Sequence, residues 1–222
     1  MPVFQLSSAL QFPDPERSDA DGLLAVGGDL RPERLLLAYT QGIFPWFGED
    51  SPILWWSPLK RAIFLPGDEH FSRRTLRALR SRGFEIRWDT RFPEVVRLCA
   101  EVPRPGQDGT WITPEMVQAY TELHQLGHAH SVEAYREGRL VGGLYGVIVG
   151  AAFCGESMFS LEDYASRAAF QALCERLWTR GFHIIDGQMP NENLASLGAR
   201  IINRREYLDR LGEARRQTGP SL

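Results

Sequence analysis

The chain has almost no lysine, few cysteines and no long apolar run, and each shortage removes a class of function. Lys60 is the only lysine among 222 residues; the other 24 basic residues are arginine. Nearly every cation available is therefore a guanidinium, the better fork for phosphate oxygens. Cys99, Cys154 and Cys174 are far apart and make no CxxC pair. That predicts reduced, buried thiols in a cytosolic protein, not a disulfide framework. The longest apolar stretch, Leu144 to Cys154, is broken by Gly146 and Gly150 and falls short of the roughly 20 residues that span a bilayer. Residues 1–18 lack the basic start and apolar block of a secretory signal. Net charge is only −3, so any nucleic-acid contact must come from the distribution of charge, not its total. Gly142, Gly143, Gly146 and Gly150 lie within strand-like segments, where a dinucleotide loop between strand and helix is not expected.

What is present is an ordinary globular composition, 43% hydrophobic and 24% charged. The length fits one large domain or two small ones. Residues 1–62 are rich in Gly, Pro and aromatics and read as a small N-terminal domain; 63–222 read as a second, larger one. In the first, Pro32 to Tyr39 has helical spacing, with Asp29 as N-cap or Pro32 in the first turn, and Gly42 as the stop. In the second, the patterns predict strands at Ala62–Leu65, Phe84–Trp88 and His130–Arg136. Further strands are predicted at Leu140–Tyr145, Val147–Phe153 and His183–Asp186. Helices are predicted at Ser72–Arg82, Phe92–Ala100, Pro114–Leu126, Ala165–Arg180 and Asn191–Ala199. The sum is an α+β chain with a predominantly antiparallel central sheet flanked by helices.

Two segments mix apolar residues with a few polar groups, as an apolar substrate group beside a reacting centre requires. They are Gly155-Glu-Ser-Met-Phe-Ser160 and Ile185-Asp-Gly-Gln188. Asp186 and Gln188, two apart on a strand, should share a face. The carboxylate could then orient the Gln188 amide towards an attacking amine, or the two could simply tie a turn. Glu156, in apolar surroundings, needs a partner: a substrate cation or a backbone N–H. Phe153, Met158, Phe170, Leu173 and Ile185 suit an apolar pocket or plain core. His124 and His128 have metal-ligand spacing, but Gly127 should end their helix first, and a metal site is not expected. Arg73, Arg74, Arg77, Arg80 and Arg82 form the one concentrated basic patch, a phosphate contact or a solvated helix face. Trp46, Trp55, Trp56 and Trp111 are candidates to stack a base or to fill the core.

The chain resembles leucyl/phenylalanyl-tRNA–protein transferases from about Gly22 to Leu211. The motifs are Gly22-Leu-Leu-Ala-Val-Gly-Gly-Asp-Leu30, Gln41-Gly-Ile-Phe-Pro-Trp-Phe47, Leu54-Trp-Trp-Ser-Pro58 and Gly109-Thr-Trp-Ile-Thr113. They continue with Leu123-His-Gln-Leu-Gly-His-Ala-His-Ser131, the two segments above and Ser196-Leu-Gly-Ala199. Eight motifs in order are a specific signal. The resemblance implies a GNAT-like C-terminal domain. It also implies transfer of Leu, Phe or, less readily, Met from aminoacyl-tRNA to an N-terminal Arg or Lys of a protein, marking it for N-end-rule degradation.

The resemblance further implies that no metal, acyl-CoA or other cofactor is needed, and that the protein works in the cytoplasm, without a membrane, as a monomer. By the same resemblance, Asp186 and Gln188 are the catalytic pair and Glu156 faces the acceptor. Leu144, Phe153, Gly155, Met158, Phe170, Leu173 and Ile185 form the aminoacyl pocket, and Trp46 and Trp111 contact the terminal adenosine. The arginine patch is the expected tRNA contact. Leu144 stands where the family commonly has Met, Tyr135 where it has Trp, Tyr164 where it has Asn and Arg167 where it has Lys; Phe170 and Leu173 exchange bulk. An acyl-CoA-dependent N-acyltransferase would need a glycine-rich pyrophosphate turn that the sequence does not offer. A non-catalytic RNA-binding module would use the aromatics and leave Asp186 dispensable.

Overall fold

Short β-favouring runs around Leu24 and Trp55 are too brief to stand alone and find each other across the chain. The computed structural model describes residues 3–103 and 110–217; Gly109 of the fourth motif lies outside them. The N-terminal part contains strands β1 (Phe4–Leu6), β2 (Leu23–Gly27), β3 (Phe44–Pro45) and β4 (Leu54–Trp56) and helix α1 (Pro32–Thr40). The strands form one sheet in the order β1-β2-β4-β3. Trp55 is fully buried, and its indole N–H donates to Gly27 O at 2.8 Å. Pro32 occupies the first turn of α1 and Arg31 the N-cap position. Asp29 is therefore not the cap; it pairs with Arg31 and with the buried Arg34.

The rest of the chain builds a seven-stranded sheet. Its strands are β5 (Lys60–Phe64), β6 (Glu85–Trp88), β7 (Ala129–Arg136), β8 (Arg139–Val149), β9 (Ala152–Ser160), β10 (Ile184–Gln188) and β11 (Arg200–Asn203). The order is β11-β5-β10-β9-β8-β7-β6. Among the described residues, every neighbouring pair is antiparallel except β9 with β10. The helices are α2 (Arg73–Arg82), α3 (Phe92–Glu101), α4 (Pro114–Gln125), α5 (Ala165–Thr179), α6 (Glu192–Ser196) and α7 (Arg204–Arg215). Polar side chains cap several of them. Ser72 caps α2 and Gly83, at φ 64°, ends it, while Thr113 caps α4 and Asn191 caps α6.

Two cores lie on opposite faces of this sheet. One buries Leu35, Val95, Val96, Met116, Tyr120 and Leu211 from α1, α3, α4 and α7; the other buries Ala169, Leu173 and Leu177 of α5 against Phe64, Phe153 and Ile185. The expected break near Gly146 does not occur. Strand β8 runs through it to Val149, and the turn falls at Gly150, φ 57°. A Cβ at Gly146 would sit 2.3 Å from Cys154 O and 2.6 Å from the Phe153 ring, so this glycine permits close strand approach instead of ending a strand. The segment Gly155 to Ser160, for which no strand is predicted, is the second part of β9.

Arginines of the larger part hold the smaller one by its main chain. Arg61 donates to Gly42 O at 3.2 Å, Arg204 to Ser57 O at 2.7 Å and Arg215 to Thr40 O at 2.5 Å. The division expected near residue 62 falls inside β5; a division just before Lys60 keeps both sheets whole. Among the described residues no helix is long and apolar enough to cross a membrane.

Candidate active site

Strands β9 and β10 are in register for three residue pairs only, ending at Asp186 opposite Cys154. Beyond that point each strand carries an irregularity. On β9, Gly155 faces Gly146 and Ser157 faces Tyr145, which leaves Glu156 as the extra residue of a bulge. On β10, Asp186 faces Ile63 and Gln188 faces Ala62, so the slip falls at Gly187, and Gln188 has φ 61°. Bulges re-aim side chains and cluster near functional sites. Here they turn Glu156 and Gln188 towards each other, and Gln188 Nε2 donates to Glu156 Oε1 at 2.6 Å.

The second oxygen of Glu156 accepts from the Tyr120 hydroxyl at 2.9 Å, and Tyr120 in turn shares a hydrogen bond with the Tyr39 hydroxyl. Tyr39 comes from α1 and Tyr120 from α4, so both parts of the chain complete this site. Burial pushes the Glu156 carboxyl up to about 7; hydrogen bonds from Tyr39, Tyr120 and Gln188 work against that rise, and the Asp186 charge adds to it. Burial also drives the Tyr39 and Tyr120 hydroxyls well above their usual range. Glu156 can therefore hold a proton near neutral pH and lose it to solvent when a cation arrives beside it.

Asp186 is placed differently from the sequence expectation. Its carboxylate does not accept from the Gln188 side-chain amide. It accepts from the Gln188 backbone N–H at 2.8 Å, from Arg61 Nε and Nη2 at 2.8 and 2.6 Å, and from the Tyr207 hydroxyl at 2.7 Å. The reason is the bulge at Gly187, which bends the Gln188 main chain back onto Asp186 and sends its side chain to Glu156. Asp186 has no exposed surface. Its chemistry is to pair the buried Arg61 and to fix the main chain of Gln188. Cys154, also buried, has its thiol pushed far up by desolvation and by the Asp186 charge, which rules it out as a thiolate nucleophile.

A cavity of about 740 Å³ opens beside this pair. All seven residues expected to form the pocket line it: Leu144, Phe153, Gly155, Met158, Phe170, Leu173 and Ile185, with Glu156 at its side. Phe64 and Leu194 are among the other apolar residues along it, Ser157, Ser166, Asn191 and Asn193 among the polar ones, and Asp186 lines it too. Gln188 is not among the lining residues; it meets the cavity through Glu156. Neither Trp46 nor Trp111 lines it. Trp46 is 38% exposed and packs edge-on against Trp56, ring centres 5.7 Å apart. Trp111 leans on the core.

The arginine patch does not enter the cavity. Arg73, Arg77 and Arg80 line a shallow hollow along α2. Arg74 is exposed, and Arg82 lies 3.5 Å from Asp163. The histidines are tied elsewhere: His124 Nδ1 lies 2.8 Å from Ala129 O, and His130 Nδ1 lies 2.8 Å from Asp89. Among the described residues no three His, Cys, Asp or Glu side chains group to hold a metal.

Sequence reasoning missed Arg61, Tyr207, Tyr39 and Tyr120. Arg61 lies one residue before the strand predicted at Ala62–Leu65, beside the expected boundary, so nothing marked it as buried; β5 in fact begins at Lys60. The tyrosines carried no signal beyond helical and core periodicity.

An apolar hollow that ends at a buried acid–amide contact suits an enzyme that grips a greasy acyl group while a polar nucleophile arrives. The fold is α+β, a small N-terminal part followed by a larger one built on a mostly antiparallel sheet flanked by helices. A solved structure of FemX superposes with a TM-score of 0.52 at 12% identity, covering 78% of this chain and 66% of that one; the likeness is of fold alone.

Sequence comparison is more specific. Residues 63–212 match the family described as leucyl/phenylalanyl-tRNA protein transferase, and residues 28–59 match its N-terminal domain. A leucyl/phenylalanyl-tRNA–protein transferase of Myxococcus xanthus is 53% identical over 98% of this chain and 94% of its own length. One from Syntrophobacter fumaroxidans is 52% identical over 96% and 91%. The chain belongs to the leucyl/phenylalanyl-tRNA protein transferase family.

Proposed function

We propose that this protein moves Leu, Phe and, less readily, Met from aminoacyl-tRNA onto the N-terminal Arg or Lys of acceptor proteins. In that role it works in the cytoplasm and marks its products for N-end-rule degradation. The observation that carries the reading is the juxtaposition of the apolar cavity with the Glu156–Gln188 contact. The donor side chain occupies the hollow among Phe153, Phe170, Leu173 and Ile185, with Leu144, Gly155 and Met158 around it. A charged side chain would lose its hydration there without a partner. One methylene changes binding by only about 1–3 kcal/mol, so several apolar donors are accepted.

The reaction is aminolysis of an ester that is already activated. The neutral α-amine of the acceptor attacks the ester carbonyl carbon and forms a C–N bond. The C–O bond to the terminal ribose breaks, and its oxygen leaves with the proton that the nitrogen gives up. An α-amine has a pKa of about 8, so an appreciable fraction is neutral at cellular pH. Orientation therefore supplies much of the rate, up to about 7–11 kcal/mol as effective molarity. The Gln188 amide oxygen orients the amine, with Nε2 held by Glu156. Asp186, saturated by Arg61, Tyr207 and the Gln188 N–H, holds the Gln188 backbone and does not take the proton.

Glu156 faces the basic side chain of the acceptor, whose charge draws its carboxyl into the ionised form. Trp46 and Trp111 contact the terminal adenosine, and Arg73, Arg74, Arg77, Arg80 and Arg82 contact tRNA phosphates. One chain supplies every group needed, so a monomer suffices, and the reaction uses no metal or other cofactor. The test is to incubate the protein with Phe-charged tRNA and an Arg-starting peptide. A peptide heavier by one Phe residue supports the reading; an unchanged peptide with intact donor contradicts it.

A further inference from the structure

Tyr164 sits in a backbone conformation that its side chain disfavours. Its φ is 72° and its ψ −3°, in the left-handed region, at the N-cap of α5, and it makes no capping hydrogen bond there. Bulky L residues avoid that region. Such outliers persist where the surroundings hold them, and they cluster at binding and switch sites. Here three guanidiniums and two carboxylates surround it. The Arg82 guanidinium lies 5.4 Å over the Tyr164 ring and 3.5 Å from Asp163. Glu162, two residues earlier, is met by Arg136 at 2.8 Å and by Arg139 at 3.5 Å. The Tyr164 hydroxyl makes no hydrogen bond among the described residues, so the ring is not held there as a donor.

Position gives this residue a role. Arg82 ends the helix whose exposed face carries Arg73, Arg77 and Arg80. On the other side, Ser166, two residues beyond Tyr164, lines the cavity rim. The Tyr164 turn thus lies where a strand running along α2 would bend into the cavity. The positive end of the α5 dipole favours a phosphate at the same place. A half-buried aromatic ring backed by a guanidinium is a sequence-tolerant surface for a nucleobase.

We propose that Tyr164 is the stacking platform for the base next to the terminal adenosine of the tRNA donor, at the bend between the arginine face of α2 and the cavity. The inference rests on the functional reading above and adds to it a binding residue for the nucleic acid.

The test uses Tyr164→Asn and Tyr164→Gly, which remove the ring and suit the left-handed backbone better. Both variants should melt at or above the wild-type temperature, which separates lost binding from lost folding. With Phe-charged tRNA and an Arg-starting peptide, KM for the tRNA should rise about 5- to 150-fold, the range for one stacked base. The kcat should hold, and Tyr164→Phe should restore KM. With phenylalanyl-adenosine as donor, which has no preceding base, the same variants should match wild type. An unchanged KM for tRNA, an equal loss with both donors, or failure of Tyr164→Phe to restore KM would overturn the proposal. A wild-type protein that transfers from neither donor would overturn the functional reading itself, and this inference with it.

Discussion

The side-chain amide of Gln188 donates to Oε1 of Glu156 at 2.6 Å, across the gap where β9 and β10 stop pairing. Two bulges on adjoining strands are needed to bring the two groups together. An amide fixed in this way presents its oxygen in one direction, which is how an uncharged group can steer an amine. Gln188→Ala should lower kcat about 10²-fold, the scale of a misplaced reactant, and leave KM for the donor near wild type. Steady-state transfer assays with Phe-charged tRNA check this; an unchanged kcat would remove Gln188 from the reaction.

Asp186 and Arg61 form a buried ion pair. Removing one partner strands the other, at a cost of about 3–5 kcal/mol. Asp186→Ala should therefore lose stability by that order in urea denaturation, as well as activity. Tyr207→Phe removes two hydrogen bonds, one to Asp186 and one from Arg61, each worth about 1 kcal/mol, but leaves the ion pair intact and should still fold. If Asp186 holds the Gln188 backbone and takes no proton, Tyr207→Phe lowers kcat without moving the pH profile. A shifted profile would make Asp186 a base.

The raised pKa of Glu156 fixes the sign of a pH effect. The folded protein holds this proton up to about 7, whereas the ordinary value is 4.5. The stabilising contribution of the protonated group is full below 4.5 and is lost as pH rises towards 7. The melting temperature of wild type relative to Glu156→Gln should thus fall between about pH 4.5 and about pH 7. Transfer to an Arg-starting peptide should depend on the ionised carboxyl, so Glu156→Gln should raise KM for that acceptor. Parallel melting curves for the two proteins across this range would contradict the assignment.

If the α2 arginines contact tRNA as proposed, the tie is electrostatic. Reversing Arg73, Arg77 and Arg80 to Glu should raise KM for tRNA and flatten its salt dependence, by about 0.9 in the log–log slope for each phosphate no longer neutralised. KM for phenylalanyl-adenosine should not change. Titrating salt with both donors checks it; a tRNA KM indifferent to charge reversal would leave the patch as solvated surface.

Much of the site was legible because its residues lie in two short, chemically mixed segments. Glu156, Met158, Ile185, Asp186 and Gln188 all stood out locally. What was hidden depends on pairings distant in sequence. Arg61 meets Asp186 across 125 residues, and nothing near Arg61 names its partner. The bulge at Glu156 breaks the alternation that marks a strand, so Gly155 to Ser160 carries no strand pattern. The N-terminal strands are only two to five residues long, too short for a period to show. Helix α7 escaped because charged residues fill much of Arg204–Arg215 and its buried face rests on few apolar side chains.

On the proposed mechanism the ester and the incoming amine meet between β9 and β10. The most direct measurement is a crystal structure with a 3′-amide analogue of phenylalanyl-adenosine, which cannot be cleaved. The expected result is the phenyl ring among Phe153, Phe170 and Leu173, with the carbonyl carbon within reach of an amine held by Gln188. An analogue bound elsewhere, with the cavity still empty, would contradict it.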